Sequence, residues 1–151
     1  MIKIICVGKI KEKYLKDAIE EYKKRLTKYT NIDIIELQDE SFDDIEKSKN
    51  IEGKKILEHI SQKDFIITME IEGKQVTSEQ FAEKIDNIFI ENSTIDFIIG
   101  GSYGLSDTVK NKSNYKLSFS KMTFPHQLFR VILLEQIYRT YKINNHEKYH
   151  K

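Results

Sequence analysis

Two short stretches in the last third of the chain hold residue types suited to binding chemistry. Gly100-Gly101-Ser102-Tyr103-Gly104 follows the apolar run Ile95 to Ile99, and Phe119-Ser120-Lys121-Met122-Thr123-Phe124-Pro125-His126 follows a second strand-like segment. Glycine lets a ligand approach backbone amide and carbonyl groups, while Leu105, Met122 and Phe124 in and beside the two stretches offer apolar surface to a flat ring. Two permissive loops at strand ends are how an α/β sheet builds a ligand crevice. Further along, Arg139, Tyr149 and His150 supply a cation, a phenol and an imidazole, groups that can stabilise a developing anion or manage a proton.

Other chemistries find no support. The glycine loop lacks the Lys-Ser or Lys-Thr that ends a phosphate-binding loop, and it does not match the dinucleotide fingerprint. No histidine-glutamate spacing suits a metal and no serine sits in a nucleophile elbow, so hydrolysis by zinc or serine is not expected. Cys6 is the only cysteine, which rules out a disulfide within the chain. Its place in an apolar run marks it as core.

These groups must be positioned by elements whose apolar period alternates between 2 and 3.6. Ile2 to Val7 reads as a strand. Leu15, Ala18, Ile19, Tyr22, Leu26 and Tyr29 share one face of a helix over 12–29. Strand Ile32 to Leu37 and a thin-striped helix over 45–60 follow, with 38–52 expected to be mobile. Strand Asp64 to Ile71 is expected to end in a turn at Glu72-Gly73-Lys74. Thr77-Ser78-Glu79-Gln80 is a capping box opening a helix that runs to about Glu91. Strand Ile95 to Ile99, a short helix over 106–112 and strand Tyr115 to Phe119 lead to Pro125, placed for the first turn of a helix over 126–143. The expected architecture is α/β, a mainly parallel sheet flanked by helices in one domain spanning 1–151. The last helix is apolar around most of its circumference, which points to a homodimer contact.

Composition agrees: 151 residues, 39% hydrophobic and 32% charged, fit a globular domain. No apolar run approaches the roughly 18 residues of a membrane span, so a cytoplasmic protein is expected. The net charge of +1 is unevenly spread: residues 1–99 carry 16 Lys and Arg against 21 Asp and Glu, residues 100–151 nine against three. A basic, loop-rich end suits a polyanion such as RNA, with Lys110, Lys112, Lys121, Arg130 and Lys142 as candidate phosphate contacts.

The stretch Phe97 to Leu105, the stretch Leu117 to Gln127, Arg130, Glu135-Gln136-Ile137-Tyr138-Arg139 and the end Tyr149-His150-Lys151 together closely resemble the RlmH-type methyltransferases of the SPOUT superfamily. The resemblance runs the full length, from the start Ile4-Ile5-Cys6-Val7-Gly8-Lys9 onward. It implies a SPOUT-type fold with a C-terminal trefoil knot, which pattern reading alone would not suggest. It implies methyl transfer from S-adenosylmethionine to N3 of a pseudouridine in the helix 69 loop of 23S rRNA, on the assembled ribosome, by a homodimer. Met69, Gly100 and Phe119, Ser120, Lys121, Met122, Thr123 and Phe124 are by the same carry-over the cofactor contacts. No metal is implied. N3 of the base is protonated at neutral pH, so Arg139 is expected to stabilise the deprotonated ring or a flanking phosphate, and Tyr149 and His150 to position the base and assist proton loss, with His146 as a possible substitute. The stretch Asn144 to Lys148 departs from the glycine or proline common in relatives, leaving the tail's path open by a residue or two. An inactive RNA- or ribosome-binding module of the same fold is the alternative; a nucleotide-dependent enzyme of the doubly wound type is disfavoured by the missing fingerprint.

Overall fold

Isoleucine-rich runs, whose branched side chains suit a pleated sheet covered on both faces, form four of the five strands. The strands are β1 (Ile2–Val7), β2 (Ile32–Leu37), β3 (Phe65–Gln75), β4 (Ile95–Ile99) and β5 (Tyr115–Ser118) in a computed structural model that describes residues 1–151. Neighbours pair in parallel throughout, in the order β2-β1-β4-β3-β5. Central β4 is buried at every position, as a two-sided strand requires.

The strands alternate with α1 (Lys13–Leu26), α2 (Ile45–Leu57), α3 (Ser78–Glu91), α4 (Asp107–Lys112) and α5 (His126–Asn144). On one face, Ile4, Phe97, Ile67 and Leu117 pack against Leu15 and Ile19 of α1, Phe81 and Ile85 of α3, and Leu133, Leu134 and Ile137 of α5. On the other, Ile5, Val7, Ile66 and Ile98 meet Ile56 of α2 and Val109 of α4. The capping box forms as the residues dictate: Thr77 Oγ1 accepts from the Gln80 N–H at 3.1 Å, and Gln80 Oε1 accepts from the Thr77 N–H at 2.9 Å.

Two expectations are corrected. The chain does not turn at Glu72-Gly73-Lys74: β3 runs on to Gln75 through a register shift in which Met69 and Lys74 both align with Leu117 of β5. The segment 38–52 is tied down, because Ser48 Oγ accepts from the Phe42 N–H at 3.0 Å and Glu52 Oε2 accepts from the Glu40 N–H at 2.9 Å, with both side chains buried. The apolar circumference of α5 is partly covered within the chain: Val131, Tyr138 and Tyr141 pack against the α1–α3 side of the core, while Leu128 is exposed and Ile132 half-buried. No helix is long and apolar enough to cross a membrane.

Candidate active site

The carboxyl ends of β3, β4 and β5 open into a cleft enclosing about 630 Å³ including the open solvent at its mouth. This is where parallel α/β sheets bind ligands. Met69, Glu70 and Ile71 enter from β3, Ile99, Gly100, Gly101 and Gly104 from the β4 loop, and Leu117 to Ser120 with Met122 to Phe124 from β5 and its loop; His126 and Phe129 close it from α5.

The glycine loop folds tightly on itself. The Gly104 N–H donates to the Gly101 carbonyl at 3.1 Å, and a Cβ on Gly100 would lie 2.8 Å from the Gly104 carbonyl carbon and 3.0 Å from Leu105 Cδ2. Any side chain there would force the loop open, so Gly100 is a close-approach residue. Leu105, expected to offer surface to a ligand, is instead buried in the α2–α4 side of the core. Behind the loop, Asp39 and Glu52 carboxylates stand near Gly101, and burial pushes the Glu52 carboxyl up to about 7.

The second loop is held by serines: Ser118 Oγ donates to the Ser120 carbonyl at 3.0 Å, and Ser120 Oγ accepts from the Met122 N–H at 2.9 Å. Phe119 packs edge-on to Phe81 at 6.1 Å and tilted against Phe129 at 5.2 Å, while Phe124 stacks over Phe129 at 6.2 Å. Met122 stands 76% exposed at the mouth, an apolar side chain without a partner in this chain. Of the eight expected cofactor contacts, seven line the cleft; Lys121 lies outside it, exposed. The sequence reading missed Glu70 and His126. Glu70 fell inside the expected strand Asp64 to Ile71, and His126 was named only as the last residue of the second stretch and the start of a helix.

Arg139, Tyr149 and His150 come together, although eleven residues separate the first from the last. Arg139 forms an ion pair with Glu135 one turn earlier, Tyr149 donates its hydroxyl to the same Glu135 oxygen at 3.1 Å, and Arg139 lies 4.8 Å from the Tyr149 ring centroid. His150 Nδ1 sits 3.0 Å from an Arg139 nitrogen and its Nε2 2.6 Å from Glu79 Oε1. Since a guanidinium only donates, Nδ1 accepts and Nε2 carries the proton toward Glu79. Burial, reinforced by the Glu135 charge, pushes the Tyr149 hydroxyl up to about 12, so at neutral pH it remains a donor. The tail is anchored upstream by Glu147, which accepts from Tyr29 at 2.8 Å and Lys142 at 2.7 Å. His146, in the left-handed backbone region at φ 55, is exposed and outside the cluster.

Two expected phosphate contacts are corrected. Arg130 is 1% exposed, its guanidinium donating to Glu36 at 2.8 Å and to the carbonyls of Val7 and Gly8 at 2.9 and 2.7 Å. Lys142 is committed to Glu147. Lys112 and Lys121 remain exposed and available.

The cluster and the cleft lie at opposite ends of one helix. Thirteen residues separate His126 from Arg139, about 20 Å along a helix axis. A groove lined by Val76, Ser78, Phe119, Phe124, Ile132 and Gln136 runs between them.

The chain is similar to known proteins over its whole length. The family described as "Predicted SPOUT methyltransferase" matches residues 1–150. Proteins named ribosomal RNA large subunit methyltransferase H from Clostridium acetobutylicum and Clostridium botulinum strain Hall are 54% and 56% identical over 99% of both chains. A Methanococcus maripaludis protein provisionally given the same name is 59% identical over the same shares. The fold is also that of a solved structure described as a probable methylase family protein from Haemophilus influenzae Rd KW20, with a TM-score of 0.58 at 12% identity, covering 99% of this chain and 70% of that one. A parallel sheet with a glycine-and-aromatic cleft at the ends of three strands, matched end to end by one family, leads to a single assignment: the chain belongs to the SPOUT methyltransferase family.

Proposed function

We propose that the protein methylates N3 of a pseudouridine in the helix 69 loop of 23S rRNA, on the assembled ribosome in the cytoplasm, using S-adenosylmethionine. The observation that carries this reading is the cleft itself, in a chain more than half identical to named large-subunit rRNA methyltransferases. The residues fit the cofactor. The absence of a side chain at Gly100 lets the cleft-lining loop close against Gly104, and Met69, Ile99 and Phe124 provide apolar walls for a flat base. S-adenosylmethionine supplies an electrophilic methyl group on a sulfonium. The protein must then bind the base in line, exclude water and favour loss of the N3 proton.

Arg139 is the group suited to hold the anionic ring or an adjoining phosphate, and Tyr149 to donate a hydrogen bond, because its hydroxyl keeps its proton. His150 already has both ring nitrogens engaged, so it accepts the N3 proton only after leaving Arg139. The separation of about 20 Å between cleft and cluster is too long for one chain to bring both to a reacting atom, where contacts of roughly 3–3.5 Å are needed. A homodimer resolves this by pairing the cleft of one copy with the tail of the other, and exposed Met122 and Leu128 give the contact apolar surface. The C-terminal trefoil knot and one domain over 1–151 belong to the same reading.

The test is methyl incorporation, located by mass spectrometry, into ribosomes lacking the modification. Full-length protein should methylate one pseudouridine; deletion of Tyr149–Lys151 should abolish incorporation while calorimetric cofactor affinity changes less than about threefold. Absence of incorporation despite cofactor binding would favour the inactive RNA-binding module, and parallel loss of both functions would refute the division between cleft and tail.

A further inference from the structure

Glu70 is the only acidic side chain lining the cleft, and three features of the fold aim and hold it there. The first is backbone. Because Met69 and Lys74 both align with Leu117, the residues between them bulge out of the β3–β5 ladder at the site. Bulges re-aim side chains beside active sites. The bulge depends on Gly73, where a Cβ would lie 2.8 Å from backbone atoms of Lys116 and Leu117.

The second feature is a hydroxyl prop. Fully buried Thr68 donates from Oγ1 to Glu70 Oε2 at 2.6 Å and stands 2.7 Å from Ser113 Oγ. Ser113 Oγ also stands 3.0 Å from the Tyr115 carbonyl; each hydroxyl has one proton, so with Glu70 ionised Thr68 gives its proton to the carboxylate and Ser113 gives its own to the Tyr115 carbonyl or to Thr68. The third is charge. Lys110 Nζ is 4.0 Å from Glu70 Oε1, and the Glu70 side chain is only 13% exposed. Oε1 has no hydrogen bond within the chain, and Lys110 beside it partly neutralises the carboxylate of this cleft-lining residue.

We infer that Glu70 Oε1 accepts hydrogen bonds from the ribose hydroxyls of the bound methyl donor, fixing the sugar beside an adenine held by Met69 and the two loops. This rests on the cofactor reading above. Glu70 directly follows Met69, and the sugar is one glycosidic bond from the base. A half-buried carboxylate already beside a lysine is better matched to neutral hydroxyl donors than to the ligand's ammonium or sulfonium, either of which would crowd a second cation near Lys110.

Calorimetry with three ligands on wild type, Glu70→Leu and Glu70→Gln tests this. S-adenosylmethionine carries sulfonium, amino-acid end and ribose; S-adenosylhomocysteine lacks the sulfonium charge; 5′-methylthioadenosine keeps only adenine, ribose and thioether. Glu70→Leu should weaken all three by the same factor, on the order of tenfold to a hundredfold, as expected for loss of hydrogen bonds to a charged group. Glu70→Gln, which keeps one acceptor oxygen, should weaken all three equally but less. A loss confined to S-adenosylmethionine would assign Glu70 to the sulfonium, a loss sparing 5′-methylthioadenosine would assign it to the amino-acid end, and unchanged affinities would remove it from the site; each overturns the inference. Should Glu70→Leu not fold, the pattern across ligands in Glu70→Gln decides. If wild type binds none of the three, the cofactor reading itself has failed.

Discussion

Asp96, in the middle of β4, should make the protein lose stability as pH rises toward neutrality. It is fully buried, and neither carboxylate oxygen has a hydrogen-bond partner. Its nearest charge, Lys3 Nζ, is 3.5 Å away and already engaged with Asp64 at 2.8 Å and the His59 carbonyl at 2.8 Å. Burial, with the Asp64 carboxylate adding to it, pushes Asp96 from its ordinary 3.8 up to about 7. Between those values the native state binds a proton the unfolded chain has released, so native stability falls with rising pH and levels off above about 7. At about 1.4 kcal/mol per pH decade the interval corresponds to an upper limit of about 4 kcal/mol. Asp96→Asn keeps the shape and removes the titration. Urea unfolding of both proteins at pH 4 to 8 should give curves that diverge: near-equal stability at pH 4, and the variant more stable by about 2–4 kcal/mol at pH 8, with unchanged m-values. Lys3 holds Asp64 below its usual range, an opposite effect present in both proteins that largely cancels in the difference. Parallel curves, or a wild type gaining on the variant as pH rises, would refute the reasoning; the second result would mean that Asp96 is ionised and paired with Lys3.

Gly100→Ala should lower S-adenosylmethionine affinity at least tenfold by calorimetry, because the added Cβ meets the Gly104 backbone at 2.8 Å and opens the loop, while the melting temperature moves by only a few degrees; unchanged affinity would show that the loop does not touch the ligand. Arg130→Met should destabilise by about 3 kcal/mol in urea, since it leaves the Val7 and Gly8 carbonyls without their buried donor, and Glu36→Gln, at a partly exposed residue that keeps the Ile10 N–H, should cost clearly less. A cost below about 1 kcal/mol for Arg130→Met would mean that water replaces the guanidinium.

The elements were readable because each carries a local signal. Isoleucine runs can be satisfied only in a buried sheet, Thr77 to Gln80 can cap only a helix start, and the loops at Gly100 and Phe119 are set apart by their composition. Seven of the eight expected cofactor residues line one cleft for the same reason: loops that follow adjacent parallel strands must emerge at one edge. The sequence could likewise single out Arg139, Tyr149 and His150, because a family resemblance preserves residue types.

Their geometry was decided by contacts distant in sequence. Gly73 looked like a turn residue, and only its crossing of the Leu117 backbone makes it part of a bulge that presents Glu70. Arg130 looked like a surface cation until Glu36, 94 residues earlier, and the end of β1 claimed its guanidinium. Asp96 is polar in any sequence reading, yet its proton affinity depends on where Lys3 and Asp64 place their charges. Periodicity and backbone preference act between near neighbours and can be read along a chain. Burial, charge pairing and the separation of cleft from tail depend on which distant residues meet, and only the folded structure specifies them.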